Sequence, residues 1–287
     1  MSIRWMGRVV AVATVLAGLC AQAADAAAHP VYLALGDSLA YGMQIGRLKQ
    51  QIQDGQVDAA AFDTGYAYRL AEQLQPAIDA LQLIDLGCPG ETSSSFVHGP
   101  CAYATSGKPF GDTPLPLHTA YTGAQLQAAL DYLKNPQYDV RLVTIDIGVN
   151  DLRAAELVCS AAADFQSCLR PRWALQREQL VRNLDAILSQ LRSAAPRTPI
   201  AVVGYYNWLA LQQPSTNLQV QQLNASIARA ARRVGAIVVP TFASFSAQGK
   251  LCDLSLVCGP IKDLHPSDAG YQLIADLIHR RIRRQIH

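Results

Sequence analysis

The chain has 287 residues, half of them hydrophobic and 16% charged, with a formal net charge of +2. That length suits one large α/β domain or two small ones, with enough apolar residues for a sizeable core. The nearly balanced charge gives no ground for a nucleic-acid or polyanion partner.

At the start, Arg4 and Arg8 precede an apolar run from Val9 to Leu19, and small residues follow at Ala21-Gln22-Ala23 and Ala24-Asp25-Ala26. This is the pattern of a secretory signal peptide, so residues 1–26 are expected to be removed and 27–287 to form a single domain. The rival reading, a membrane anchor, is disfavoured because the run is shorter than the roughly 20 residues of a spanning helix. An acylated Cys20 is disfavoured by Leu19, which stands where a small residue is usual.

From Pro30 onward, apolar runs alternate with helical patterns. Val31 to Leu35, Gln82 to Leu86, Arg141 to Ile147, Ile200 to Gly204 and Ala236 to Val239 are apolar on consecutive positions, as strands covered on both faces should be. Between and after them, Tyr66 to Ala80, Gly123 to Lys134, Trp173 to Ala195, Asn217 to Val234 and Ser267 to Arg284 repeat apolar residues at three and four, with Ser267 placed to cap the last helix. The alternation predicts a three-layer α/β/α sandwich around a parallel five-stranded sheet. Pro89 to Thr122, rich in Gly, Pro, Ser and Thr, is long for a connection and reads as a functional loop.

Without Cys20 six cysteines remain: Cys88, Cys101, Cys159, Cys168, Cys252 and Cys258. An even count in an exported chain reads as disulfides. The cysteines fall as three close pairs in segments read as loops, so nearest-neighbour pairing is the economical expectation among several connectivities. Free or metal-bound thiols are the competing reading, but C-x-x-C and zinc-like spacings are missing.

In parallel sheets ligands gather outside the carboxyl ends of strands. There Ser38 follows the first apolar run, Gly90 the second, and Asn150 the third, while His265 precedes the last helix. Singly, each reads as ordinary turn chemistry. Together they supply what ester hydrolysis requires: a nucleophile, a base for its proton, and donors for the oxyanion. Ser38 would attack and His265 would take its proton. The N–H groups of Ser38 and Gly90, with the Asn150 amide, would hold the oxyanion. Gly90 suits this because a residue without Cβ lets the backbone come close to a ligand.

The blocks Gly36-Asp37-Ser38-Leu39, Gly87-Cys88-Pro89-Gly90-Glu91-Thr92, Gly148-Val149-Asn150-Asp151 and His265-Pro266 resemble, in this order, those of the GDSL or SGNH hydrolase family of esterases and lipases. The resemblance implies a flavodoxin-like sandwich and a secreted or periplasmic serine hydrolase that cleaves carboxylic esters through an acyl-serine. It implies Ser38 as nucleophile, His265 as base, and Ser38, Gly90 and Asn150 as the oxyanion hole. The expected partner is a small acyl or acetyl ester; no cofactor, metal, nucleic acid or stable membrane insertion is expected, and the chain is expected to be a monomer. The pairs Cys88 with Cys101, Cys159 with Cys168 and Cys252 with Cys258 look like those of secreted bacterial members.

One position departs from the family. An aspartate usually stands three residues before the histidine, where this chain has Lys262; Asp263 stands two before. Two arrangements remain open: Asp263 reaches the imidazole from an extended loop, or a backbone carbonyl near Lys262 to Leu264 holds the ring.

Several other residues have plainer readings. Asp37 is expected to fix the Ser38 turn and Asp151 to brace the loop after the third strand. Tyr205-Tyr206-Asn207-Trp208 reads either as a wall of an acyl pocket or as ordinary packing with polar tips in solvent. His29, His98, His118, His279 and His287 are expected to be structural or exposed. The basic cluster of His279, Arg280, Arg281, Arg283 and Arg284 reads as a solvated face that complements the helix dipole, with attraction to anionic lipid surfaces as the lesser reading. The alternative function is a non-catalytic carbohydrate- or lipid-binding module on the same fold. A nucleotide or flavin site is disfavoured, since Asp37 stands where a phosphate cradle needs donors.

Overall fold

Five strands form one parallel sheet in the order β2-β1-β3-β4-β5: β1 (His29–Gly36), β2 (Gln82–Asp85), β3 (Tyr138–Asp146), β4 (Ile200–Val203) and β5 (Ile237–Val239). The structure is a computed structural model that describes Met1 and residues 28–106, 114–247 and 249–286. Apart from Met1, the expected signal peptide lies outside these residues. Val31 to Leu35 are buried on consecutive positions because helices cover both faces of the sheet.

The helices are α1 (Ser38–Tyr41), α2 (Ile45–Gln53), α3 (Tyr66–Leu74), α4 (Ser93–His98), α5 (Ala102–Ser106), α6 (Gln125–Lys134), α7 (Val149–Cys159), α8 (Phe165–Ala194), α9 (Asn217–Arg233), α10 (Phe242–Ser246), α11 (Lys250–Leu254) and α12 (Asp268–Ile282). Helix α3 packs on α12, whereas α4, α6, α7 and α9 pack on α8. The sheet separates these groups, giving the expected α/β/α sandwich.

Some expected bounds shift for local reasons. The helix from Tyr66 ends at Leu74, just before Pro76, which has no N–H to continue the ladder. The helix expected from Trp173 begins at Phe165, where Asp164 caps it by accepting from Ser167 N, and it carries Pro171 within it. Ser267 caps α12 as anticipated, accepting from Gly270 N. Helix α7 was not anticipated; Asn150 and Asp151 stand in its first turn and not in a loop.

The disulfides are Cys88–Cys101, Cys159–Cys168 and Cys252–Cys258. The second joins the end of α7 to the start of α8, so it links two helices and does not lie in a loop. The first anchors the long connection after β2, which contains α4 and α5.

Register places the exits side by side. Gly36 lies opposite Asp146 on β3, and Ala34 opposite Asp85 on β2. Gly36 has φ of 136°, and a Cβ there would fall 1.9 Å from Asp146 Oδ1 and 2.2 Å from its carbonyl oxygen. Gly36→Ala is therefore expected to cost at least about 3 kcal/mol, read as a lower urea midpoint. An unchanged midpoint would show that the end of β1 can move away from Asp146.

Candidate active site

Ser38 opens α1 directly after β1, and its turn is tied down from several directions. Asp37 caps the helix by accepting from Leu39 N at 3.0 Å, and its other oxygen accepts from the Tyr205 hydroxyl at 2.7 Å. Asp146 on β3 accepts from Ala40 N at 3.0 Å, while its carbonyl accepts from Asp37 N at 3.1 Å. Both carboxyl groups are fully buried. Burial pushes Asp37 up to about 6 and Asp146 well above its ordinary value, and the neighbouring charge of Asp37 raises Asp146 further.

His265 reaches this turn from the segment before α12. Its Nε2 lies 2.9 Å from Ser38 Oγ, and its Nδ1 lies 2.6 Å from Asp263 Oδ1. The carboxylate fixes the proton on Nδ1, which leaves Nε2 as the acceptor for the serine hydroxyl. Asp263 also accepts from the N–H of His265 at 3.2 Å and of Ile45 at 2.6 Å. Burial tends to raise Asp263, but the hydrogen bond and charge of His265 and the two backbone donors outweigh it and hold the group below its ordinary value.

Two of the backbone carbonyls nearby are engaged elsewhere. Leu264 O accepts from the Tyr206 hydroxyl, and His265 O accepts from Leu256 N. The two-residue offset of Asp263 works because Lys262 takes a left-handed φ of 54°, turning the chain so that Asp263 points inward. Gln44 steadies the same segment, donating to Pro266 O at 3.2 Å and to Asp268 Oδ1 at 2.9 Å.

Gly90 and Asn150 stand on the opposite side. Neither Ser38 N nor Gly90 N donates to a partner among the described residues. Asn150 Nδ2 donates to Glu91 O at 2.9 Å, which aims the amide and leaves its second hydrogen for a ligand. Gly90 has φ of 79°, and a Cβ there would fall 2.0 Å from the Tyr103 ring. The glycine is thus required by its backbone conformation and by aromatic packing, beyond the close approach to a ligand argued from sequence. Asp151 braces the arrangement as expected, accepting from Ser93 N at 2.8 Å and Ser93 Oγ at 2.6 Å, so α7 is tied to α4.

Ser38, Gly90, Asn150 and His265 line one cavity of about 460 Å³, whose other walls are chiefly apolar: Met43, Ile45, Val149, Leu157, Tyr206 and Trp208 among them. Tyr205 and Tyr206 do line it, but their hydroxyls point inward to Asp37 and Leu264 and not to solvent. His118 lies outside the cavity, held between the Tyr68 hydroxyl and Tyr41 O.

Sequence reasoning missed Gln125. This fully buried side chain accepts from Gly36 N at 2.7 Å, donates to Gly36 O at 2.9 Å, and reaches Glu91 Oε2 at 3.3 Å. One amide therefore ties the end of β1 to the loop that carries Gly90. A lone glutamine at the start of a helix carries no sequence signal of such a role. Glu91, pushed by burial to about 7, and Asp146 were missed for the same reason.

The match to known proteins agrees with this geometry. Residues 34–273 match the GDSL-like lipase/acylhydrolase family, and the chain belongs to that family. It is a carboxylic ester hydrolase of the GDSL/SGNH type. Among solved structures, the fold is similar to an extracellular lipase from Streptomyces rimosus (TM-score 0.60, 20% identity, covering 88% of this chain and 99% of that one). It is also similar to a putative GDSL-like lipase from Parabacteroides merdae (TM-score 0.55, 18% identity, 88% and 95% covered). A third is an acetylxylan esterase from Geobacillus stearothermophilus (TM-score 0.54, 15% identity, 90% and 95% covered). No curated protein matches the chain.

The buried acids make stability depend on pH. Burial raises Asp37 and Asp85 to about 6, and Glu91 and Glu156 to about 7, so each binds its proton more tightly folded than unfolded. Such groups stabilise the fold most at low pH, and stability falls as pH rises through the interval between their unfolded and folded values. Asp263 acts in the opposite sense, but only as pH falls below its ordinary value of 3.8. The urea midpoint is therefore expected to be higher at pH 5 than at pH 7.5. The reverse order would show that these carboxyl groups are ionised in the folded protein.

Proposed function

We propose that the protein is an exported serine hydrolase that cleaves carboxylic esters through a covalent acyl-enzyme on Ser38. The observation that carries the reading is the unbroken series from Asp263 Oδ1 through the imidazole of His265 to Ser38 Oγ, with links of 2.6 and 2.9 Å.

Ser38 Oγ attacks the ester carbonyl carbon while its proton passes to His265 Nε2, and the carbonyl π electrons move onto oxygen. The resulting oxyanion meets the N–H groups of Ser38 and Gly90 and the free hydrogen of Asn150 Nδ2. Collapse breaks the bond to the alcohol, which leaves with the proton from Nε2. Water then repeats the sequence on the acyl-serine, giving the acid and restoring Ser38. Asp263, ionised across the working range, keeps the ring in its tautomer and offsets the imidazolium charge.

Three features support the wider reading. The expected signal peptide over 1–26 and the three disulfides fit an oxidising destination outside the cytoplasm, secreted or periplasmic, with 27–287 as one domain. The apolar cavity of about 460 Å³ fits an ester of modest size.

Hydrolysis of a p-nitrophenyl acyl ester tests the assignment. Ser38→Ala and His265→Ala are each expected to lower kcat at least about 10³-fold, and Asp263→Asn about 10²-fold or more. Turnover that persists in Ser38→Ala overturns the assignment. A loss of only a few-fold in Asp263→Asn would shift support of the imidazole to a backbone carbonyl.

A further inference from the structure

Helix α7 presents one face to the cavity, and the residues on it are spaced at three, four and seven: Asn150, Arg153, Ala154 and Leu157. Arg153 thus stands about one helical turn, ~5 Å along the axis, from the amide placed at the oxyanion. Apart from His265, it is the one ionisable basic side chain among the described residues that line this cavity, and no carboxylate lines it.

The way Arg153 is held leaves it able to take a ligand. Its Nη1 lies 3.3 Å from Glu156 Oε2, and the rest of the guanidinium has no partner among the described residues. The side chain is 31% exposed, whereas that of Glu156 is 1% exposed. Glu156 is buried and engages one edge of Arg153, which lines the cavity with its remaining N–H donors unengaged among the described residues. Burial raises Glu156 to about 7 in spite of Arg153, so the carboxylate only partly neutralises the cation near neutral pH. A guanidinium in an otherwise apolar cavity, anchored at one edge, is arranged for an anionic oxygen.

We propose that Arg153 is a specificity-determining residue that selects esters bearing an anionic group about one helical turn from the scissile carbonyl. The inference rests on the assignment of Ser38, His265 and Asn150 above. The anion is a carboxylate carried either by the alcohol or at the far end of the acyl chain, and the test separates the two.

Two matched pairs of esters separate these sources. The alcohol arm compares 4-acetoxybenzoate with its methyl ester, and the acyl arm compares mono-p-nitrophenyl adipate with its methyl ester. Within each pair the anionic-to-neutral ratio of kcat/KM is independent of how much enzyme is correctly folded. The parent protein is expected to favour the anionic member about tenfold or more in at least one arm, chiefly through KM, with a preference that weakens in salt. Arg153→Gln is expected to bring that ratio close to one, and Arg153→Lys to restore part of it. A parent ratio near one in both arms, or a ratio that Arg153→Gln leaves in place, overturns the proposal while leaving the hydrolase assignment standing. Failure to cleave any of the four esters overturns the assignment itself and this inference with it.

Discussion

The turn that carries Ser38 is clamped between two buried carboxyl groups, and the rest of the site is arranged around that clamp. Asp37 caps α1 from within the chain, while Asp146 reaches across from β3 to hold the Ala40 N–H. Gly36 makes this possible, because its missing Cβ is the space Asp146 occupies. Burying both groups is costly, and their raised affinity for protons is the form that cost takes. The return is a serine fixed in position before any ligand arrives.

The other exits are joined to this one by polar side chains and not by the sheet alone. Gln125 pairs with Gly36 as a strand neighbour would, then extends to Glu91, whose carbonyl aims Asn150. On the opposite side, Gln44 and the Ile45 N–H fasten the segment that carries Asp263 and His265. The proposed nucleophile, base and oxyanion donors thus sit on four separate stretches of chain, after β1, after β2, at the start of α7 and before α12, linked by short hydrogen bonds. Around them the cavity is largely apolar, a setting in which hydrogen bonds to developing charge count for more than they do in water.

How much of this the sequence disclosed depended on what each residue buries. Consecutive apolar positions marked all five strands, since a strand covered on both faces has no polar side to blur the signal. Helix α7 escaped because its pattern is inverted: Asp151 and Glu156 are buried, while Leu157 and Val158 are more than half exposed. The start of α8 was hidden by Pro171, which reads as a breaker from the sequence alone. Ser38, Gly90, Asn150 and His265 were legible from their places after strands and before the last helix, and the structure sets all four around one cavity. The reach of Asp263 was not legible, since it depends on the left-handed backbone at Lys262, a conformation that lysine does not advertise. Gln125 and Arg153 were silent for a related reason: their importance lies in what three-dimensional packing puts beside them.

The central claim is that one hydroxyl, Ser38 Oγ, is made nucleophilic by His265. Reaction with diethyl p-nitrophenyl phosphate, followed by peptide mass spectrometry, tests it most directly. The account predicts a single phosphorylated residue per chain, Ser38, labelled far more slowly once His265 is replaced by alanine. Label on a different residue, or an unlabelled Ser38 in protein that still turns over esters, would contradict it.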